Sequence, residues 1–352
     1  MPDWTASMQQ SYEYYIVDPS TWKDKHRVTN IIKASVTRDS TMDTLGLASI
    51  DATEALSECY IRIYLVTNQN GIQEKFALGT FLVQTPSASF DGKVQDVTMD
   101  AYTPLLELKE NPMPLGYSLL KGQNIMYHAY QIVRDRVRAP VVKAQSDKKL
   151  YSDFVADTED TGLTFTQDLI SNAKYEFMVD PDGTILFAPK QELASLQPVW
   201  TYDDSNSSIL QPKISIDHDI YGLPNVVEVI YSSNTEQYYA RVVNDDENSP
   251  LSTVNRGREI VHRVTNPSMV GDPTENQIKE YAKLLLKELS SVEYTLSYTH
   301  GYCPVRVGDC VRLNYERAGI VGVKAKVISQ TIQCTAGCQV VESAVYTANL
   351  WR

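Results

Sequence analysis

The sequence predicts a β-rich α+β fold, and three observations carry that prediction. Tyr is abundant, with 22 residues against 7 Phe. Tyr, Val, Thr and Ile gather in short runs bounded by Gly, Asn, Asp or Pro, the composition of strands separated by turns. Apolar residues alternate with polar ones in several runs, while helical spacing is confined to a few segments.

The first hundred residues read as successive strands: Tyr12 to Val17, Val28 to Thr37, Leu47 to Thr53, Tyr60 to Thr67, Phe76 to Gln84 and Val94 to Tyr102. Along Cys59, Ile61, Ile63 and Leu65 every second residue is apolar, which predicts one buried face and one wet face. Asn68 to Gly71 and Asp91–Gly92 supply residues that tolerate positive φ where hairpins reverse. A meandering sheet or barrel follows.

After Pro104, Pro112 and Pro114 the period changes. Ile125, Met126, Ala129, Ile132, Val133 and Val137 predict an amphipathic helix from Gln123 to Arg138, with Arg134, Arg136 and Arg138 at its negative dipole end. A shorter helix over Leu163 to Ala173 leads into strands Tyr175 to Val179 and Ile185 to Ala188, joined by the turn Asp180–Pro181–Asp182–Gly183. Strands resume at Val226 to Tyr231 and Tyr238 to Val243. A long helix then carries Ile278, Tyr281, Ala282, Leu285, Leu286 and Leu289 on one stripe, with Asp272 as its cap, Pro273 at its first position and Glu275 as the acid of a capping box. Val292 to Thr299, Val305 to Leu313, Lys324 to Ile332 and Val340 to Tyr346 read as the last strands.

Length and charge narrow the function classes. At 352 residues the chain is long enough for two or more domains. Its apolar runs are strand-sized, so no helical membrane span is expected, and Met1 to Gln10 lacks the features of a secretory signal, which predicts cytoplasmic synthesis. The net charge of −12 is unevenly spread: residues 1–150 carry 16 basic and 17 acidic groups, 151–260 carry 6 and 19, and 261–352 carry 10 and 8. Acid concentrated in the middle disfavours tight binding of a phosphate backbone.

No catalytic constellation is legible. His26, His128, His218, His262 and His300 are scattered, with no metal-protease pair, nucleophile elbow or phosphate-cradling glycine loop. Asp217–His218–Asp219 reads as a solvated strand edge. Asp203–Asp204, Glu159–Asp160 and Asp245–Asp246–Glu247 are the candidate carboxylates of a polysaccharide hydrolase, but adjacent loop acids do not make the separated pair that glycoside hydrolysis needs. Asp180 to Gly183 is explained as a turn without a calcium ion.

The cysteines are more specific. Cys303, Cys310, Cys334 and Cys338 form two pairs, each spanning a turn, and two turns at one end of neighbouring strands could converge four thiolates on a zinc ion or an iron–sulfur cluster. Two disulfides, or four unconnected buried thiols, are the alternatives. Cys59 is read as a small core residue.

The order of segments resembles the baseplate-hub, or tail-tip hub, family of tailed bacteriophages. The resemblance runs through Ala34–Ser35–Val36–Thr37–Arg38–Asp39, Gly79 to Val83 followed by Val97 to Tyr102, Asp182 to Leu186, Leu223 to Val229, and Val305 to Val311. It implies two tube-protein-like β-barrel domains and two smaller α/β domains, assembled as a homotrimeric ring. Applied to this chain it divides the sequence into a first barrel (1–111), an α+β insert (112–206), a second barrel (207–245 with 291–352, carrying the cysteines) and a small helical or loop insertion (246–290). Such a hub adapts a six-fold tail tube to a three-fold tip and has no catalytic residues. It implies a distal tail or tube protein above, a spike, fibre or central tip protein below, the tape-measure protein in the lumen, and DNA only in transit within the virion. By similarity to lambda-type tail-tip proteins, Cys303, Cys310, Cys334 and Cys338 would hold an iron–sulfur cluster, or zinc. The competing classes are a cell-wall hydrolase using acids of 151–260, and a receptor-binding tail module with a Tyr-rich surface.

Overall fold

Alternation in the first hundred residues produces seven strands: β1 (Gln9–Val17), β2 (Asp24–Val28), β3 (Ile31–Asp39), β4 (Gly46–Ala52), β5 (Tyr60–Gln69), β6 (Ile72–Phe90) and β7 (Gln95–Tyr102). They come from a computed structural model that describes residues 2–90, 92, 95–233, 236–267 and 273–351. The seven lie in the order β3–β4–β7–β6–β5–β1–β2, each pair antiparallel. The run expected from Val28 to Thr37 is broken at Thr29–Asn30, so it contributes to two strands. Asn70 and Gly71, at φ 54° and 80°, reverse the chain between β5 and β6 as the sequence predicted. Asp91 and Val94 lie outside the described residues.

The expectation of a wet face on β5 is corrected. Ile61, Ile63 and Leu65 are buried on one face, but Tyr60 and Arg62 are buried on the other. The cover comes from Trp22, whose ring meets that of Tyr60 edge-on (centroids 4.7 Å), and from the turn at Asp182, whose carbonyl accepts from Arg62 Nη2 (2.9 Å).

The α+β block follows in chain order: α1 (Leu106–Lys109), β8 (Ser118–Leu119), α2 (Ile125–Arg134), β9 (Phe154–Val155), α3 (Gly162–Ser171), β10 (Tyr175–Val179) and β11 (Ile185–Pro189). Asn124 caps α2 by accepting from the Tyr127 amide (2.8 Å), and Thr161 with Thr164 forms a capping box on α3. Helix α2 ends at Arg134, not at Arg138. Arg138 leaves the helical path because both its amide and its guanidinium bind the Glu107 carboxylate. Ile125, Met126, Ala129, Ile132 and Val133 pack with Leu163, Phe165, Leu169 and Ile170 into one core. Each large side chain so buried contributes about 1.5–3 kcal/mol. At the β10–β11 turn only glycine fits: Gly183 has φ 82°, and a Cβ there would meet Thr80 at 2.8 Å and Trp22 at 2.9 Å.

The remaining elements are β12 (Pro198–Asp203), β13 (Leu210–His218), β14 (Val226–Ser232), β15 (Gln237–Val243), α4 (Thr253–Arg256), β16 (Val261–Thr265), α5 (Glu275–Leu289), β17 (Ser291–Gly301), β18 (Cys310–Tyr315), β19 (Ile320–Gln333) and β20 (Gln339–Asn349). The strand expected from Val305 begins only at Cys310, because Gly308 at φ 95° and the bond from the Arg306 amide to Asp309 Oδ2 (2.8 Å) make 305–309 a turn. Pro198 to Asp203 and Val261 to Thr265 are strands without a counterpart in the sequence reading, and the strand edge expected at Asp217–His218 is the end of a longer strand from Leu210.

Two units result: Met1–Ile214 with Tyr298–Ala344, and Ser215–Ser297 with Val345–Arg352. In the first, β3 pairs antiparallel with β19, so the amino-terminal sheet continues into carboxy-terminal strands; β19 pairs with β18, and β18 runs parallel with β12. In the second, β15–β14–β16 form a sheet whose Val227, Val229 and Ala240 pack on Ile278, Ala282 and Leu286 of α5. The cap of α5 is Thr274 rather than Asp272, which leaves Pro273 before the helix and not at its first position: the Thr274 hydroxyl accepts from the Gln277 amide, and Gln277 Oε1 accepts from the Thr274 amide (2.8 Å), so Gln277 and not Glu275 closes the box. Asp272 itself is outside the described residues. No described helix is long and apolar enough to cross a membrane.

Candidate functional site

The chemistry-bearing residues of the first unit gather where β3, β12, β17, β19 and β20 carry polar side chains inward. In β20 the inward positions are Val340, Glu342 and Ala344, and in β17 they are Leu296, Tyr298 and His300. Alternation therefore places a carboxylate and an imidazole in the core, both with no exposed surface. Groups this deep must be paired, and they are.

Glu342 Oε1 accepts from Tyr298 Oη (2.5 Å) and Oε2 from Gln330 Nε2 (2.5 Å). His300 Nε2 lies 3.4 Å from Glu342 Oε2 and 3.2 Å from Tyr202 Oη, while Nδ1 is 2.7 Å from the Gly301 carbonyl. A carbonyl only accepts, so Nδ1 carries a proton. Tyr202 Oη also lies 3.3 Å from Cys303 Sγ. Gln330 stands directly across from Arg38 in the β19–β3 register, and Arg38 Nη1 donates to its Oε1 (3.2 Å) and Nη2 to the Leu78 carbonyl (2.8 Å).

Burial disfavours the charged imidazole of His300, but its hydrogen bonds with Cys303 and Glu342 outweigh that cost and push its pKa up to about 10. Burial together with the Glu342 charge raises both Tyr202 and Tyr298 well above the usual phenol range. The network is thus an imidazolium–carboxylate pair whose carboxylate receives three donors. Cys303 and His300 are 4.0 Å apart, Sγ to Nδ1, which invites comparison with a catalytic dyad. The geometry argues against it: Nδ1 is committed to Gly301, and Cys303 is 2% exposed, so no substrate reaches the sulfur.

The four predicted ligands are divided. Cys303 belongs to the His300 network. Cys334 and Cys338 sit together across the β19–β20 turn, where burial and each other's charge raise Cys334, and burial pushes Cys338 up to about 11. Tyr12 closes that turn, its hydroxyl donating to the Thr335 carbonyl (2.8 Å). Cys310 begins β18 opposite Lys326, where burial raises it against the opposing pull of Lys324 and Arg312. All five cysteines are free thiols, Cys59 only half-buried, and among the described residues no three His, Cys, Asp or Glu side chains are gathered so as to hold a metal ion. As arranged here, the thiols do not fit a four-cysteine cluster.

Three of the candidate hydrolytic acids accept bonds within their own loops, and a fourth forms an ion pair. Asp203 Oδ1 accepts from the Ser205 amide and hydroxyl, Asp246 Oδ1 from the Asn248 amide, and Asp160 Oδ2 from the Asp157 amide, while Asp204 pairs with Arg317 at 3.3 Å. His218 does lie on an exposed strand, stacked on Tyr294 with centroids 4.6 Å apart. A cavity of about 930 Å³ in the first unit is lined by residues of both charges, among them Arg38, Arg306, Lys326, Glu176, Asp180 and Asp309.

No family model matches the sequence, and no curated protein is similar to it. The fold, however, is shared across nearly the whole chain. A tail protein from Neisseria meningitidis is similar with a TM-score of 0.61 at 13% identity, covering 97% of this chain and 98% of that one. The 43 kDa tail protein of a Shewanella oneidensis prophage gives 0.61 at 11% identity over 96% and 98%. An Escherichia coli component of the type VI secretion system, itself structurally similar to T4 bacteriophage tail proteins, gives 0.50 at 10% identity over 92% and 78%. The chain has the fold of phage tail proteins.

Proposed function

We propose that this chain is the structural hub of a phage tail tip or baseplate, a homotrimer that adapts a six-fold tube to a three-fold tip and surrounds the path of genome ejection. The observation that carries the reading is end-to-end likeness: a tail protein from Neisseria meningitidis matches over 97% of this chain and 98% of its own length, so the likeness is not to one shared domain. In this reading residues 1–111 and 207–245 with 291–352 supply two barrels, and 112–206 and 246–290 the outer domains. The tube protein binds above, a spike or central tip protein below, and the tape-measure protein and DNA pass through. The role is non-enzymatic, in keeping with acids spent on their own loops. Charge agrees: 19 acidic against 6 basic groups in residues 151–260 repel phosphate and so favour passage over adhesion.

Light scattering and negative-stain imaging of the purified chain test it. A three-chain ring with an axial pore is expected; a monomer at micromolar concentration, or a closed particle without a pore, overturns it. The metal on Cys303, Cys310, Cys334 and Cys338 is a separate matter, since it requires the thiols to regroup. An anaerobic preparation that is brown with absorbance near ~400 nm, or that carries zinc by elemental analysis, would establish that regrouping.

A further inference from the structure

The β10–β11 hairpin has one covered edge and one open edge. The bonds from the Asp180 amide to the Thr184 carbonyl (3.0 Å) and from the Lys190 amide to the Lys174 carbonyl (2.8 Å) fix which residues face inward. In an antiparallel pair such bonds join every second residue, so Glu176 and Met178 turn their backbone groups towards β11, and Tyr175, Phe177 and Val179 turn theirs away. Pro189, which has no amide, stands opposite Tyr175, where none is needed. The outer edge of β11 is taken: Ile185 donates to the Pro140 carbonyl (2.8 Å) and accepts from the Val142 amide (2.9 Å). The outer edge of β10 is not, for the amides and carbonyls of Phe177 and Val179 have no partner among the described residues. An edge of this kind offers a row of backbone donors and acceptors to an extended chain.

That edge borders the cavity of about 930 Å³, whose lining includes every residue from Tyr175 to Pro181. The side chains of Tyr175, Phe177 and Val179 pack into the core of the α+β block, so it is their backbone that meets the space. The sheet contributes Arg38 and Arg306 to the same lining. Arg38 donates only to neutral acceptors, Gln330 Oε1 and the Leu78 carbonyl, and neither guanidinium makes an ion pair among the described residues. Burial disfavours the charge on Arg38, and Arg306 beside it adds to that cost. The acids of the cavity are engaged or remote: Asp180 Oδ1 accepts from the Thr184 amide (2.8 Å), Asp309 Oδ2 from the Arg306 amide (2.8 Å), Glu176 faces Lys326 at 3.9 Å, and Asp168 is exposed on α3.

We propose that an extended segment of another polypeptide adds to β10 in this cavity and places a carboxylate on Arg38 and Arg306. A free oxyanion would satisfy the arginines and leave the Phe177 and Val179 backbone unpaired; a neutral peptide would do the reverse. An acid-bearing peptide answers both. Backbone bonds then supply affinity and the guanidiniums supply selectivity. The volume lies within the range of ordinary ligand sites. All of these residues belong to the first unit, and the site does not depend on the hub reading.

Selection of a random heptapeptide library on the full chain, followed by fluorescence anisotropy of the enriched peptides, tests it. Enriched peptides should carry an acidic side chain or a free carboxy terminus, and Arg306→Ala should weaken their binding about tenfold. Val179→Pro removes one outward amide and leaves the β11 pairing intact, so it too should weaken binding about tenfold, whereas Val179→Thr, which keeps the amide, should bind as the wild type does. Should Val179→Pro fail to fold, backbone N-methylation of the peptide removes donors from the ligand instead, and the same loss is expected on the wild-type chain. A library that yields no binder, or binders indifferent to both Arg306→Ala and N-methylation, overturns the proposal. Inorganic phosphate or free glutamate competing as strongly as the peptides would make the cavity a site for a small oxyanion and also overturn it. None of these outcomes bears on three-chain assembly, so the hub reading stands or falls separately.

Discussion

Two buried polar clusters in the first unit use the same bonds to different ends. Around Glu342 every member but Cys303 lies on a strand of the sheet region, and neither charge has exposed surface. Around Arg62 the guanidinium is also enclosed, its side chain 7% exposed, but beside the buried Thr80 its partners are peripheral. Asp24 Oδ1 (2.9 Å) is on the open strand β2, its carboxylate 27% exposed, and the Asp182 carbonyl (2.9 Å) belongs to the β10–β11 turn. Thr80 Oγ1 accepts from Nε (2.8 Å), and Trp22 Nε1 shares the Asp182 carbonyl (2.7 Å). The first cluster ties strands within a core; the second fastens the α+β block to the sheet through a loop. What separates them is access to water once a partner is lost.

The largest effect should come from Glu342→Ala. It strands the His300 imidazolium, the Gln330 amide and the Tyr298 hydroxyl in a dry interior, and breaking a buried pair from one side costs about 3–5 kcal/mol. Urea unfolding of the first unit measures it; a loss below about 1 kcal/mol would mean that the carboxylate is dispensable and that the two clusters do not differ as described. Arg62→Met should cost less, about 1–3 kcal/mol, because Asp24 and the Asp182 turn can take up water. Its signature is local as well as global: protease cleavage near residues 180–183 should speed up more than the change in stability accounts for. Equal cleavage in the Arg62 and Glu342 variants would erase the distinction.

The sequence showed the strands plainly and the clusters poorly, and the reason lies in what periodicity reports. Tyr175 to Val179 was readable to the residue because a helix, a glycine turn and alternation agree there. Arg138 was misread as helical because its spacing was right, while the force that pulls it away, the Glu107 carboxylate, is 31 residues distant. Glu342 carried a signal that could have been used: it occupies the middle of the inward row Val340, Glu342, Ala344, where a lone acid demands a buried partner. His300 occupies the same kind of position beside Leu296 and Tyr298. Those rows say that partners exist without saying which, and Tyr202, about a hundred residues upstream in β12, has no local mark at all. The cysteine spacing suggested convergence, but spacing along the chain does not fix which face of which turn each thiol takes.

Acidity separates the two clusters most finely. His300 is held protonated in the folded chain up to about pH 10 but titrates near 6.5 when unfolded, so its contribution is fully present below 6.5 and is lost as pH rises through 10. Over that window the unfolded chain releases a proton that the folded chain keeps, and stability falls by at most about 1.4 kcal/mol per pH unit. The Arg62 cluster contains no imidazole, so it adds no histidine-linked slope there. Between pH 7 and 8 the wild type should therefore lose about 1 kcal/mol, and Arg62→Met should lose the same amount from its lower starting point. Glu342→Gln removes one of the two groups that hold the imidazolium, Cys303 being the other, so its slope should be smaller than the wild type's across the same interval. If Glu342→Gln kept the wild-type slope while Arg62→Met lost it, the proton that matters would sit at the loop junction rather than in the core, and the assignment of the two clusters would have to be reversed.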